Sequence, residues 1–249
     1  MHTLNKVAQI SLLFWVMKIV ATTLGETLGD FIAQTLGLGY TVGILITLAF
    51  FGVALSIQLA KRKYVPVWFW LVIIATTTLG TEISDFIDRS LNIGYTWGSL
   101  LLFTGFIITL FAWYKKFSNL EVYPIMQPKK EVFFWITVLF SNSLGTAFGD
   151  YLSDVLGLSY LIGALVTASI ILVVVVLHYF TKLNQIVLFW IAFIFTRPFG
   201  ATFGDFLTKP LIKGGLDLGT LPASLVSIVL MAILIYISHV QLKGNVNKH

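Results

Sequence analysis

Six carboxylates stand inside long apolar runs of this chain: Glu26, Asp30, Glu82, Asp85, Asp150 and Asp205. An ionised carboxylate in hydrocarbon costs at least ~2.5–3.5 kcal/mol on insertion scales, so such residues normally face a bundle interior or a watery cavity. Within the same runs the only cations are Lys18 and Arg197, which leaves a formal charge of −4 if all eight groups ionise. Protons or bound cations are expected to make up part of the difference. The chain has no cysteine, and its histidines (His2, His178, His239 and His249) fall in tails or at run ends. Oxygen ligands alone point to hard cations (H⁺, Na⁺, Mg²⁺, Ca²⁺ or Mn²⁺) rather than to copper or zinc. Disulfides and thiolate chemistry are excluded.

The spacing predicts that these groups converge. Thr22, Glu26 and Asp30 lie at i, i+4 and i+8, and Glu82 and Asp85 at i and i+3, so each set falls on one helical face. Thr23 stands beside Thr22, and Thr77, Thr78, Asn142, Ser143 and Arg197 occupy the corresponding places in the other copies of the pattern. The expected site is a ring of four aspartates with Glu26 and Glu82 beneath it, hydroxyl and amide oxygens deeper, and Arg197 as internal counter-ion. All six carboxylates are candidate cation, proton or metal ligands. A competing expectation makes each aspartate a cap of the following helix or of the outer loop, since Asp is a preferred N-cap.

The elements that must position these residues are repeated. Ala21–Phe31 recurs as Thr76–Phe86, Ser141–Tyr151 and Thr196–Phe206, and aligning Phe14-Trp15, Phe69-Trp70, Phe134-Trp135 and Phe189-Trp190 gives offsets of 55, 65 and 55 residues. Fixed-period self-similarity of this kind is the signature of a repeat architecture. The composition, 57% hydrophobic and 11% charged with mean hydropathy +0.91, lies far from that of a soluble domain, in which about 25% of residues are charged. At about 20 apolar residues per span, the runs divide into eight, near 12–33, 38–60, 67–88, 94–114, 131–153, 158–180, 186–207 and 217–240. The predicted fold is all-α and polytopic: one membrane domain over 1–249, with eight transmembrane helices in four tandem helical-hairpin repeats near 10–63, 65–118, 130–183 and 185–241. Two spans per copy make the repeats parallel, with pseudo-symmetry about the membrane normal.

Charge placement sets an orientation. Lys6, Lys61, Arg62, Lys63, Lys115, Lys116, Lys129, Lys130, Lys182, Lys243 and Lys248 fall on one side of alternating spans, and Arg89, Lys209 and Lys213 on the other. Both termini are therefore expected in the cytoplasm, and the net charge of +5 needs no nucleic-acid partner. Phe14-Trp15 and its repeats are expected as a cytoplasmic aromatic belt. From that belt, a rise of 1.5 Å per residue puts Thr22 about 12 Å, Glu26 about 18 Å and Asp30 about 24 Å into the membrane. Lys18 is expected either to snorkel to the interface or to pair with an acid, and Trp97 to line a cavity. Gly25, Gly29, Gly80, Gly145, Gly149, Gly200 and Gly204 form small-xxx-small patterns for close helix approach, while Pro198 suggests a break in its helix.

The Thr-Thr-x-Leu-Gly-like openings and Gly/Ser-Asp-aromatic endings of the four copies resemble those of bacterial membrane-anchored proteins defined by a four-fold membrane repeat of unknown function. The resemblance covers about residues 10 to 240 and implies four repeats in a bacterial plasma (inner) membrane, without supplying an activity. Leu24-Gly-Glu-Thr-Leu-Gly-Asp30 also loosely resembles the Glu-x-Gly-Asp signature of manganese and calcium exporters. Gly29-Asp30 and Gly149-Asp150 resemble part of the Gly-x-Gly-Asp signature of intramembrane aspartyl proteases, but the preceding glycine spacing and a Tyr-Asp partner are missing. The expected function is therefore not enzymatic. It is secondary transport of a hard cation, a divalent metal such as manganese or else sodium, with proton coupling through the carboxylates and no cofactor beyond a bound cation. Export of lipophilic cations or drugs, and a non-transporting scaffold or sensor, are the alternatives. The expected partners are the lipid bilayer and a small cation or small-molecule substrate.

Overall fold

A computed structural model describes residues 5–246, with side chains to Lys243; His2, Lys248 and His249 lie outside the described residues. The described residues are all-helical, with eight helices among them long and apolar enough to cross a membrane. They are α1 (Leu12–Asp30), α2 (Gly39–Ala60), α3 (Pro66–Asp85), α4 (Tyr95–Phe117), α5 (Pro128–Asp150), α6 (Tyr160–Phe180), α7 (Gln185–Thr208) and α8 (Thr220–Val246). Local chemistry starts them where the apolar runs begin. Ser11, Ser159 and Asn184 accept backbone N–H groups as N-caps, and Pro66 and Pro128 take first-turn positions whose N–H would have no partner.

The helices divide into an inner ring and an outer shell. The motif helices α1, α3, α5 and α7 pack in cyclic order, α1 on α3, α3 on α5, α5 on α7 and α7 on α1. Each return helix packs mainly on the motif helix that follows it: α2 on α3, α4 on α5, α6 on α7, with α8 closing the circle on α1. Burial and hydropathy agree with this division. The inner spans are 61–78% buried with mean hydropathy 1.3–1.7, and the outer spans are 22–28% buried with mean hydropathy 1.6–2.8. The polar motif residues are thus wrapped by the more apolar helices, as a hydrocarbon surround demands.

Glycine sets the tightness of the ring. A Cβ added at Gly25, Gly80, Gly145 or Gly200 would come within 2.8–2.9 Å of Thr77 C, Ser143 N, Pro198 Cδ or Thr22 C on the next motif helix. The same contact is made four times around the ring. Two hydroxyls tie neighbouring helices at this level: Thr77 donates to Ala21 O at 3.1 Å, and Thr22 donates to Thr196 O at 3.2 Å. Thr78 and Ser143 bond carbonyls of their own helices, and the Thr23 hydroxyl has no partner.

Three expectations about the scaffold are corrected. The Phe-Trp pairs are not a lipid-facing belt: Phe14, Phe69, Trp70, Phe134, Trp135, Phe189 and Trp190 are buried, with Trp15 partly so. Ring centroids 5.2–6.3 Å apart join Phe14 to Trp15, Trp70 and Phe189, and Phe69 to Phe134 and Trp135, so the aromatics fill the end of the bundle near the chain termini. Pro198 does not break α7, which runs unbroken from Gln185 to Thr208. Trp97 is 67% exposed on α4 and is not part of the wall of the cavity beside the aspartates.

The same end is closed further by the segment before α1 and the connector before α5. Lys6 N donates to Ile125 O at 2.9 Å, and the Lys6 ammonium forms a buried ion pair with Glu131. Gln58 of α2 donates to Lys6 O and to Glu131 Oε1, both at 3.0 Å.

Candidate cation site

The inner ring carries a polar axis in three layers. Nearest the aromatic layer, Lys18 is fully buried; it donates to Asn142 Oδ1 at 3.0 Å and sits 4.2 Å from the centroid of the Phe193 ring. Asn142 in turn donates to Thr76 Oγ1 at 3.0 Å. Lys18 therefore neither snorkels nor pairs with an acid, because α1 places it a full helical stretch inside the bundle with an amide oxygen and an aromatic face in reach.

The middle layer is built around Arg197, which is fully buried. Its Nη2 donates to Glu26 Oε2 at 2.8 Å, to Thr146 Oγ1 at 2.5 Å and to Thr81 Oγ1, and its Nη1 donates to Thr22 O at 3.4 Å. Glu26, Thr81 and Thr146 occupy the same register position in copies one, two and three. One guanidinium thus gathers three of the four inner helices onto α7, in the role of internal counter-ion expected for it.

The outer layer holds the four aspartates; those of the first three copies do not cap the next helix, since Leu38, Gly94 and Ser159 are the N-caps of α2, α4 and α6, and α8 starts only at Thr220, well beyond Asp205. The first three motif helices instead continue past the aspartate in a five-residue π-turn (Phe31–Thr35, Phe86–Ser90 and Tyr151–Val155), and α7 continues regularly to Thr208. This continuation brings in the residue four places on: Gln34, Arg89, Asp154 or Lys209. Arg89 bridges Asp85 Oδ2 (3.4 Å) and Asp150 Oδ2 (3.1 Å), and is held from outside by Tyr95 Oη (3.1 Å) and Tyr40 Oη (3.0 Å). Lys209 bridges Asp30 Oδ2 (2.6 Å) and Asp205 Oδ1 (3.2 Å), while Gln34 donates to Asp30 Oδ1 at 2.5 Å. Burial by itself would lower the Lys209 pKa, but the Asp205 and Asp30 carboxylates outweigh it and hold the ammonium above its ordinary range. Four aspartates share two cations, which leaves a formal charge of −2 over these six groups before Asp154 is counted, and Asp85 Oδ1 has no hydrogen-bond partner.

Two layers meet at one point: Glu26, Asp30 and Asp205 each bring one carboxylate oxygen within 4.8 Å of the others, all three residues buried. Asp85 and Asp150 form the opposite pair around Arg89. A cavity of about 350 Å³ lies at this end of the bundle, its wall including Asp150, Asp205, Arg89, Lys209, Gln34 and Tyr160.

Glu82 is the predicted ligand that does not join the ring. A Cβ on Gly43 of α2 would lie 2.5–2.7 Å from its carboxyl atoms, so the side chain points at the outer helix. The cause is a shift of one residue: the place equivalent to Glu26 in copy two is Thr81, and the next residue is turned about 100° around the helix. Thr27, the residue equivalent to Glu82 in copy one, likewise meets an outer helix, receiving a hydrogen bond from Ser224 of α8 at 2.9 Å.

Arg89 and Lys209 went unrecognised as site residues. Charge placement sets them only on the far side of the spans, although both follow their own aspartates by four residues at the repeat offset.

A family model described as Repeat of Unknown Function (DUF347) matches residues 13–64, 68–116, 133–184 and 188–242. The chain belongs to this family. Each matched segment carries one motif helix with its aspartate and most or all of the return helix that follows, so the four DUF347 repeats together contribute the whole inner ring. No curated protein and no solved structure matches the chain.

Proposed function

We propose that this protein is a secondary transporter of a small hard cation in a bacterial plasma membrane, with both termini in the cytoplasm. The observation that carries the reading is the meeting of Glu26, Asp30 and Asp205, one buried oxygen from each within 4.8 Å of the others. Three oxygens spread evenly on one ion at the ~2.3–2.6 Å lengths of Ca²⁺ lie about 4.0–4.5 Å apart, so a cluster whose oxygens are within 4.8 Å of one another suits sodium or a divalent ion such as manganese or calcium with at most a small contraction. Lys209 is the resident cation of this cluster, an ammonium on a flexible stem that an incoming ion displaces toward the cavity.

The path supports the same reading. The cavity of about 350 Å³ admits ions from the end away from the chain termini, and the Phe-Trp layer with the Lys6–Glu131 closure blocks the other end. This is the arrangement of an outward-facing state, with the lysine-rich closed end in the cytoplasm. A second reading, export of a small lipophilic cation, is favoured by the Tyr160 wall of the cavity and by its volume, which lies in the range of small-molecule pockets.

The test is flux in proteoliposomes. Radiolabelled manganese or sodium uptake is expected in the wild type, with loss of at least tenfold in Glu26→Gln, Asp30→Asn and Asp205→Asn. Unchanged flux in all three variants refutes the site.

A further inference from the structure

Glu82 is 1% exposed, and neither of its carboxylate oxygens has a hydrogen-bond partner. It occupies a notch that only glycine leaves open. Gly43 faces it from α2, where a methyl group would lie 2.5–2.7 Å from the carboxyl atoms, and the nearby Thr47 hydroxyl is spent on Gly43 O at 2.8 Å. At the equivalent places the other copies carry Thr27, Ala147 and Thr202, so the acid belongs to this copy alone.

The ionisable groups on the surrounding elements are engaged with other partners or point away from it. On α1, Glu26 is held by Arg197, and Asp30 by Lys209 and Gln34. The α2 helix carries no charged residue, and its Tyr40 hydroxyl accepts from Arg89. On α5, Asp150 is paired with Arg89, while Lys129, Lys130 and Glu131 stand at the opposite end; on α8, Tyr236, His239 and Lys243 are equally remote along the helix. On α3 itself, Asp85 is paired with Arg89, and Asp88 lies against Gly98 of α4.

A buried carboxylate without a donor is far more costly than a buried neutral carboxyl, and one carboxyl group facing a glycine has too few ligands for a metal ion. We infer that Glu82 is the proton-carrying site of the protein, neutral in the structure described and releasing its proton as a cation enters the Glu26–Asp30–Asp205 cluster. The release step rests on the transport reading above; the resting protonation does not. The balance is one cation bound and one O–H bond broken, with the proton leaving to water and the Glu82 carboxylate stabilised by the incoming charge. Linkage makes the effect reciprocal, so protonated Glu82 weakens cation binding by the factor that the cation weakens proton binding.

The test has two arms on full-length protein in detergent. In the first, infrared difference spectra of cation-free wild type against Glu82→Gln at neutral pH are expected to show a protonated-carboxyl C=O band lost in the variant and retained in Glu82→Asp; absence of that band from the wild type overturns the inference. In the second, Mn²⁺ or Na⁺ is titrated in weak buffer with binding followed by calorimetry. About one proton released per cation in the wild type and none in Glu82→Gln, with binding retained, supports the coupling. Equal release in both proteins overturns it. Binding of neither ion to a wild type that does show the band overturns the cation reading and the release step, and leaves the resting proton on Glu82 established.

Discussion

Arg197→Met removes the guanidinium while keeping the methylene stem that packs on Gly145, so the perturbation isolates charge and hydrogen bonding from packing. Glu26 is then left buried without its paired guanidinium, and Thr81 and Thr146 lose their shared donor. Removing one partner of a buried pair costs about 3–5 kcal/mol, because the remaining charge has no compensation. For a chain of this size that corresponds to a fall in Tm of roughly 6–20 °C. The double variant Arg197→Met with Glu26→Gln removes both charges and is expected to recover at least about 2 kcal/mol of the loss. Thermal unfolding of the two single variants, the double variant and the wild type in one detergent closes the cycle, with the coupling energy as the readout. If Arg197→Met is no less stable than the double variant, the pair does not carry the middle of the inner ring and the layered description of the axis is wrong.

Gly25→Ala is expected to cost at least about 1–3 kcal/mol through overpacking against the Thr77 backbone. Gly52→Ala, in an exposed part of α2 with nothing within 4 Å of the new methyl, should be neutral or stabilising by about 0.5–1 kcal/mol; thermal unfolding separates the two. Phe69→Ala should cost about 3–5 kcal/mol as a fully buried ring is lost, whereas Trp97→Ala should stay within about 0.5 kcal/mol. Lys209→Met should lower cation-free Tm and enlarge the Tm gain on adding Mn²⁺ or Na⁺, since the ion no longer displaces a tethered ammonium; a smaller gain than in the wild type counts against displacement. The pKa of Lys209 is raised in the folded state, so its stabilisation is fully present below the unfolded value of about 10.4 and fades only as pH rises through the folded value. The penalty of Lys209→Met should accordingly be the same at pH 6 and pH 9.

Much of this architecture was legible from one chain because repetition substitutes for comparison. Offsets of 55, 65 and 55 residues placed four aspartates at equivalent positions, and the xxxGly pattern named the contacts of the inner ring. What escaped was direction. Phe14-Trp15 has the composition of an interface belt, and composition does not separate a ring that faces headgroups from one that faces other rings; a four-fold repeat of the pair makes the second arrangement available, since four copies meet at an axis. The i, i+3 spacing of Glu82 from Asp85 suggests a place on the axis, yet its one-residue offset from the place of Glu26 is enough to turn it to α2. Charge placement puts Arg89 and Lys209 only on the far side of the spans, because the π-turn that carries the helix one further turn and returns Arg89 to the aspartate layer has no signature in the sequence.

The placement of those two cations explains why a four-fold scaffold holds a less symmetric site. The residue four places after the aspartate is neutral, cationic, anionic and cationic in the successive copies, at Gln34, Arg89, Asp154 and Lys209. Cations thus come from copies two and four, and each reaches back to its own aspartate and across to a neighbour, dividing the ring into two bridged pairs. The pairs differ in strength of hold. Arg89 presents a planar fork to two carboxylates and two tyrosine hydroxyls, a geometry suited to a fixed brace. Lys209 presents a single ammonium on a flexible stem, beside the one place where Glu26 adds a third oxygen. A mobile ion can compete with a lone ammonium far more readily than with a four-point guanidinium. Exchange is therefore expected at the Asp30–Asp205 side of the ring, while the Asp85–Asp150 side holds the bundle together.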